Sequence, residues 1–209
     1  MSARSYNPRF FPVQIEPGKQ YPVAHSRRGE CRVREEPWWY EGSFDEQRSG
    51  GATHHAIDIF APLGARIVAT RPGRVLQTWR YQGETRPGSG WSEKGGWFVR
   101  MEVDDDGSVE YFSHLKDEPK VRSGQRVRAG QLLGYMGQTG NATYTCPHLH
   151  YQVRDRNGRA VNPGTALRRL HDAQSWIYRG SDFNVGPWIG AGVATVAGVG
   201  LIYLISREF

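Results

Sequence analysis

The chain has 209 residues, of which 38% are hydrophobic and 23% are charged, a balance typical of an ordinary globular protein. Its 26 glycines and 12 prolines favour a loop-rich β protein over a helical bundle. The formal net charge of +6 attracts polyanions, but the sequence contains no nucleic-acid-binding module, so we expect no nucleic-acid partner.

We expect residues 1–42 to form an extended N-terminal arm, because they are rich in proline, arginine and glutamate and lack helical periodicity. The segment is not a secretory signal peptide, since proline and charged residues interrupt every apolar run. If the protein acts outside the cytoplasm, something other than this segment must deliver it.

Residues 43–165 alternate between short β runs and turn residues, which predicts a mostly β domain. Two hairpins are expected, each made of two β runs around a turn: 66–69 with 74–81, and 97–103 with 109–114. A further strand is expected at 148–154. The loop 82–96 has no regular pattern, and loops of that length in a compact domain are usually functional or mobile.

The C-terminal part of the sequence divides into a short helix and linker at 166–184, a membrane-like stretch at 185–206 and a tail at 207–209. The apolar run from Trp188 to Ile205 has 18 residues and no charge. As a helix it would be about 27 Å long, close to the roughly 30 Å hydrocarbon core of a bilayer. We therefore expect a single transmembrane helix, with a buried glycine-rich core segment as the alternative.

Three histidine clusters could supply metal ligands. His54 and Asp58 are four residues apart, and His148 and His150 are two apart, so an extended backbone places each pair on one face. His114 ends a predicted strand. Two histidines and one carboxylate suit a catalytic zinc, which takes three protein ligands and leaves a position for water. Each motif alone is weak, and a single histidine is more often an ordinary surface or core residue.

Together these motifs resemble the M23 (LytM/lysostaphin-type) zinc endopeptidases of peptidoglycan. The family pattern is HxGxD, a strand ending in His-Leu, a glycine-rich hairpin and PHLH. Here it reads HHAID at 54–58, YFSHL at 111–115, the glycine-rich run at 121–143, and CPHLHYQVR at 146–154. Ser43, Phe44 and Arg48 also match the family's segment before the first ligand.

The resemblance implies a role for each of the five polar side chains. His54, Asp58 and His150 would bind Zn²⁺, whereas His114 and His148 would be catalytic, activating water and stabilising the tetrahedral intermediate. It also implies a mostly antiparallel β fold whose site lies in a groove walled by loops 82–96 and 138–146. Substrate-binding residues are not identified.

Two positions depart from the family pattern, and neither removes a ligand. Ala56 replaces the glycine of HxGxD, and Cys146 stands where a small residue usually precedes the proline. Cys146 and Cys31, the only two cysteines, could form one disulfide or remain two buried thiols. A thiol so close to the site could also be an adventitious metal ligand.

The resemblance implies a zinc-dependent endopeptidase that hydrolyses peptide cross-links or stem peptides of bacterial peptidoglycan. With the membrane stretch, we expect a membrane-anchored enzyme of a virion that opens the wall during phage entry, with other virion or envelope proteins as partners. A cell-envelope or injected-effector peptidase is an alternative, as is a non-catalytic, wall-binding membrane protein. The bond cut, the viral or cellular origin and the oligomeric state stay open.

Overall fold

Eleven short strands and one α-helix form the part of the chain that the computed structural model describes, residues 6–14, 22–25, 31–33, 43–48, 50–78 and 94–179. The elements are β1 Pro22–His25, β2 Cys31–Val33, β3 Ile57–Phe60, β4 Arg66–Val68, β5 Gly73–Thr78, β6 Trp97–Val103, β7 Val109–Leu115, β8 Arg126–Val127, β9 Leu132–Tyr135, β10 His148–Arg154, β11 Ala160–Val161 and α1 Gly164–Arg179. The predicted mostly β fold is confirmed.

The main sheet has seven strands, and every pairing in it is antiparallel. Its order is β11-β10-β7-β6-β5-β8, and β3 also pairs with β10. His150 and Tyr151 of β10 therefore pair with β3 on one side and with β7 on the other. In this register His150 is opposite Asp58 of β3 and opposite Ser113 of β7, so strand pairing alone brings distant polar residues together.

One of the two predicted hairpins is confirmed and the other is wrong. Strands β6 and β7 pair as expected. Strands β4 and β5 do not pair with each other: β4 pairs with β9 in a separate two-stranded sheet, whereas β5 pairs with β6 and β8. The chain between them carries Thr70 and Arg71, both buried in a polar cluster. The Pro72-Gly73 pair between the two strands favours a turn but does not specify which strand pairs next.

The core is formed by residues of the main sheet and of the β4-β9 sheet and includes part of the N-terminal arm. Phe11 and Val13 are 3% and 1% exposed, and Val13 forms a β-bridge with Ile67 of β4. The phenol oxygens of Tyr6 and Tyr151 are 2.6 Å apart. Residues 6–14 therefore contribute directly to the packing of the β domain.

Helix α1 confirms the helix predicted after the β domain. Its Leu167 is fully buried, and the ring of His171 contacts Phe11 edge-on at 5.3 Å between centroids. Among the helical segments that the structure describes, none has the length and hydropathy to span a bilayer. The predicted transmembrane stretch at 185–206 lies outside the described residues.

Candidate metal centre

Three side chains meet where β3 and β10 run side by side. Asp58 belongs to β3, His54 precedes that strand, and His150 belongs to β10. His54 Nε2 is 2.9 Å from His150 Nδ1, and Asp58 Oδ1 is 3.1 Å from His150 Nδ1 and 3.2 Å from His54 Nε2. The side chains are 5%, 21% and 13% exposed for His54, His150 and Asp58, so His54 is buried whereas His150 and Asp58 are partly open to solvent.

The spacing of these three atoms fits a single metal ion. Ligands bound tetrahedrally to zinc at about 2.0–2.1 Å lie about 3.3–3.4 Å from one another. The observed separations of 2.9 to 3.2 Å are close to that edge length. Two imidazole nitrogens and one carboxylate oxygen are also the donor set of catalytic zinc sites. The residues present therefore fit a zinc ion with an open fourth position.

Neighbouring groups fix the orientation and charge of these residues. His54 Nδ1 donates to the carbonyl oxygen of Ser43 at 2.6 Å, which leaves Nε2 directed at the cluster. The Asp58 amide donates to Ser43 Oγ at 3.3 Å. Burial alone would raise the pKa of Asp58, but hydrogen bonds with His150 and His54 hold that pKa well below its ordinary value. Asp58 is therefore an ionised carboxylate.

His114 and His148 flank the three-residue cluster as neutral imidazoles. Burial and the neighbouring His148 and His150 lower the pKa of His114 to about 3. Burial likewise lowers the pKa of His148. His114 Nδ1 donates to the Thr139 carbonyl and His148 Nδ1 donates to the Cys146 carbonyl, both at 2.8 Å. In both rings Nε2 is then unprotonated, and its lone pair can accept a proton.

All five predicted site residues are brought together. The ring centroid of His114 is 4.9 Å from that of His148 and 5.8 Å from that of His150. The rings of His54 and His150 are 4.7 Å apart. The predicted sharing of one face by His148 and His150 agrees with this arrangement. Side chains more than 90 positions apart in the sequence thus form one polar cluster.

Sequence reasoning missed the backbone acceptors that orient the histidines. The carbonyls of Ser43, Thr139 and Cys146 each accept a hydrogen bond from an imidazole. Ser43 is marked in the sequence only by the family resemblance, and Thr139 only by its place in the glycine-rich run 121–143 and in loop 138–146. A carbonyl is common to every residue and carries no sequence signal, so spacing alone could not have identified these acceptors.

Cys146 is buried and disulfide-bonded. Of the two alternatives predicted for Cys146, the disulfide is therefore confirmed and the free thiol is wrong. The sulfur is therefore not a free thiol beside the metal centre, and the adventitious-ligand alternative is wrong for this state.

One predicted wall of the groove is described and most of the other is not. Loop 138–146 contains a short 3-10 turn at Gly140–Ala142 and carries Tyr144, which is 94% exposed. It packs closely on Gly96, since a Cβ added at Gly140 would lie 2.4 Å from the Gly96 nitrogen. Of the predicted loop 82–96, residues 82–93 lie outside the described part of the chain.

The same region of the sequence matches a known family. Residues 52–163 match the model described as peptidase family M23. The chain belongs to peptidase family M23. This confirms the resemblance stated from the motifs, and the matched range includes all five polar site residues.

Curated relatives and a solved structure agree with membership of the M23 family. Glycyl-glycine endopeptidase ALE-1 of Staphylococcus capitis is 32% identical over 103 residues, 49% of this chain and 25% of that protein. L-Ala–D-Glu endopeptidase of Bacillus subtilis is 31% identical over 128 residues, 57% of this chain and 36% of that protein. A candidate glycyl-glycine endopeptidase LytM from Ruminococcus gnavus has a crystal structure that matches with a TM-score of 0.54 at 26% identity, over 80% of this chain and 62% of that chain.

The chain spans about a quarter to a third of the length of these two curated relatives. The shared part is the M23 domain that contains the candidate metal centre. The named activities are those of the relatives, and the two names specify different peptide bonds.

Proposed function

We propose that this protein is a zinc-dependent endopeptidase that hydrolyses peptide cross-links or stem peptides of bacterial peptidoglycan. The proposal rests on family membership and on one observation in particular. Three ligand atoms, from His54, Asp58 and His150, lie 2.9 to 3.2 Å apart, with two neutral imidazoles beside them. Two M23 relatives are named for the peptide bonds that they cut, a glycyl-glycine bond and an L-Ala–D-Glu bond.

His54, Asp58 and His150 would hold the zinc ion. When bound, zinc supplies a Lewis acid that polarises a carbonyl and makes water a nucleophile near neutral pH. The ionised Asp58 and the two imidazoles together offer one negative charge, so the site keeps a net positive charge when a divalent ion is present. Such a centre favours the oxyanion that develops when an amide is attacked.

His114 and His148 would carry the proton transfers of amide hydrolysis. Because Nδ1 of each ring donates to a backbone carbonyl, Nε2 is the atom that can take up a proton from the attacking water. Once protonated, the same atom can donate a hydrogen bond to the tetrahedral oxyanion or return the proton to the leaving amine. Two such histidines divide these tasks without a further side chain.

The alternative is a non-catalytic protein that keeps the fold and binds the wall without turnover. The two additional histidines argue against it, because a protein that only binds has no need for two buried, oriented imidazoles beside a metal site. The test is release of soluble peptides from purified peptidoglycan, with and without a chelator. Turnover that stops with chelator and returns with zinc supports the enzyme, whereas binding without any release of peptides supports the alternative.

We further propose that residues 185–206 anchor the peptidase in a membrane next to the wall. Support comes from the sequence alone: the segment is uncharged and contains the 18-residue apolar run Trp188–Ile205. An enzyme of a virion membrane that opens the wall during phage entry fits this arrangement, and so does a peptidase of the cell envelope. Co-purification with virus particles would support the virion location, whereas co-purification with membranes of uninfected cells would support the cell envelope.

A further inference from the structure

The guanidinium of Arg48 contacts the only carboxylate among the proposed metal ligands. Arg48 Nη2 donates to Asp58 Oδ2 at 2.6 Å, whereas Oδ1 faces His150 and His54 at 3.1 and 3.2 Å. The two oxygens of Asp58 are thus divided between different partners. We propose that Arg48 is a positioning residue that holds Asp58 as a one-oxygen metal ligand, an inference that rests on the proposed zinc function.

Arg48 is held in place by the backbone that leads into the first ligand. The Arg48 amide donates to the Ala52 carbonyl at 2.8 Å, and the Gly51 amide donates to the Arg48 carbonyl at 3.1 Å. The His54 amide donates to the Glu46 carbonyl at 2.9 Å. These bonds tie the backbone of Arg48 to the residues that lead into His54. The backbone of Arg48 is therefore fixed by a short, local segment, from which its guanidinium reaches Asp58.

Fixing one oxygen has a chemical consequence for the centre. A carboxylate that is free to rotate can bind a metal through both oxygens and so occupy an additional coordination position. With Oδ2 held by Arg48, only Oδ1 is directed at the histidine nitrogens. A catalytic zinc site requires a coordination position that remains open to water, and the arginine preserves it.

The positive charge of Arg48 repels a metal cation and by itself would lower zinc affinity. This repulsion acts against the gain from holding Asp58 in place. Glu46 Oε2 lies 3.3 Å from the same Arg48 Nη2, and the Arg48 side chain is 40% exposed. The nearby carboxylate and water both screen the guanidinium. Asp58 is only 13% exposed, so loss of the hydrogen bond to Oδ2 would leave a largely buried acceptor unsatisfied, at a cost in free energy. The side chain could then rotate away from the two histidines. Alignment therefore outweighs repulsion, and the arginine strengthens zinc binding.

The test is zinc affinity of the full chain, measured on metal-free protein by competition with a chromophoric chelator. Arg48→Met removes the donor and keeps much of the length of the side chain. We expect zinc affinity to fall about 10- to 100-fold, the usual loss when a partner of a metal ligand is removed. Arg48→Lys restores a charged donor and is expected to recover part of that loss.

Arg126→Met is the matched control. Arg126 also donates to an aspartate, Asp104 Oδ1 at 3.0 Å, but its partner lies in the turn after β6 and its side chain is 70% exposed. Zinc affinity of this variant is expected to match that of the wild type. Thermal unfolding of the metal-free proteins checks that each variant folds.

The possible outcomes separate the two claims. A wild type that binds zinc, together with a folded Arg48→Met protein that binds it equally or more tightly, overturns the role of Arg48 and leaves the proposed function intact. A wild type that binds no zinc overturns the proposed function and this inference with it.

Discussion

His114 is held in a backbone conformation that few residues adopt. Its φ is 63°, in the left-handed region, which costs a residue with a side chain on the order of 1–3 kcal/mol. The imidazole is 6% exposed and donates through Nδ1 to the Thr139 carbonyl at 2.8 Å. The surrounding structure thus imposes a strained backbone at the end of β7, and the imidazole is thereby directed at His148 and His150.

Replacing His114 with asparagine tests whether its imidazole takes part in the chemistry. Asparagine tolerates left-handed backbone better than most residues, so His114→Asn removes the imidazole with little added strain. We expect zinc content to stay at the wild-type level while peptidoglycan hydrolysis slows at least about a hundredfold, the scale of a lost acid-base or oxyanion group. Zinc content and peptide release would be measured on the same preparation.

The control for this substitution is His55→Asn. His55 also has a left-handed backbone, with φ of 50°, but its side chain is exposed and contacts the Phe44 ring. Near wild-type turnover is expected there. Equal turnover in His114→Asn and wild type would assign the proton transfers to other groups.

The sequence predicted the five polar side chains because each is chemically distinctive and lies in a short motif. It did not predict what orients them. Ser43 presents its carbonyl to His54, and Thr139 presents its carbonyl to His114. These contacts depend on where the backbone passes in three dimensions, which residue type does not encode.

Thr139 ties one wall of the groove to two strands of the main sheet. Its Oγ1 accepts from the Trp97 amide at 3.0 Å and donates to the Leu115 carbonyl at 2.6 Å. Its own carbonyl accepts from His114. A single residue of loop 138–146 therefore links the start of β6, the end of β7 and a proposed catalytic imidazole.

Thr139→Val keeps the shape of the side chain and removes the hydroxyl, which leaves the Trp97 amide and the Leu115 carbonyl without this partner. We expect turnover to fall roughly 10- to 100-fold through misplacement of His114, with KM and zinc content little changed. Thr139→Ser retains the hydroxyl and should keep most of the activity. Steady-state kinetics on a soluble wall peptide would separate kcat from KM.

Thr143→Val provides a control on the same loop. Thr143 Oγ1 donates to the Gly140 carbonyl at 2.8 Å and is exposed. Its loss is expected to leave kcat unchanged. A fall in kcat as large as that of Thr139→Val would mean that general loosening of the loop, rather than the contact with His114, limits turnover.

The strands were predicted more accurately than their pairing. Short β runs bounded by turn residues located β6, β7 and β10, because both signals are local properties of the sequence. The pairing of β4 with β9 and of β5 with β8 joins residues far apart in the chain, and no local pattern reports it. The burial of Arg71 could not be predicted from the sequence either, since arginine is ordinarily exposed.

A buried ionic cluster surrounds Glu110 of β7. Arg71 and Glu110 are 2% and 0% exposed, with Arg71 Nη2 3.0 Å from Glu110 Oε1. Thr70 Oγ1 donates to Glu110, and Arg71 also donates to Asp106 and Ser108. The guanidinium carbon of Arg71 lies 5.0 Å from the centre of the Tyr6 ring, so the cluster also contacts the N-terminal segment.

Arg71→Met should destabilise the domain strongly, because it leaves the charge of Glu110 buried without its main partner. We expect a loss of about 3–5 kcal/mol in the free energy of unfolding. Urea denaturation of metal-free protein would measure it. Arg126→Met, which removes an exposed arginine, should change stability by no more than about 0.5 kcal/mol. A similarly small change in Arg71→Met would show that the cluster contributes little.

The tail makes a prediction about the behaviour of the full chain. The motifs and the described fold end before residue 180, so deleting residues 185–209 should leave an active peptidase that stays in solution without detergent. The full-length protein should require detergent or lipid, as an uncharged stretch of spanning length does. Size-exclusion chromatography without detergent shows whether each form is monodisperse. If the full-length protein is monodisperse in plain buffer and the deletion variant is unfolded, the tail belongs to the folded core and the membrane prediction is wrong.

The central claim is that His54, Asp58 and His150 hold one zinc ion. Elemental analysis of the purified wild type and of His54→Ala, Asp58→Ala and His150→Ala measures it directly. The account predicts about one zinc per wild-type chain and loss of bound zinc in each variant, because three protein ligands are the minimum for a catalytic site. A full equivalent of zinc retained in two of the three variants would contradict the assignment.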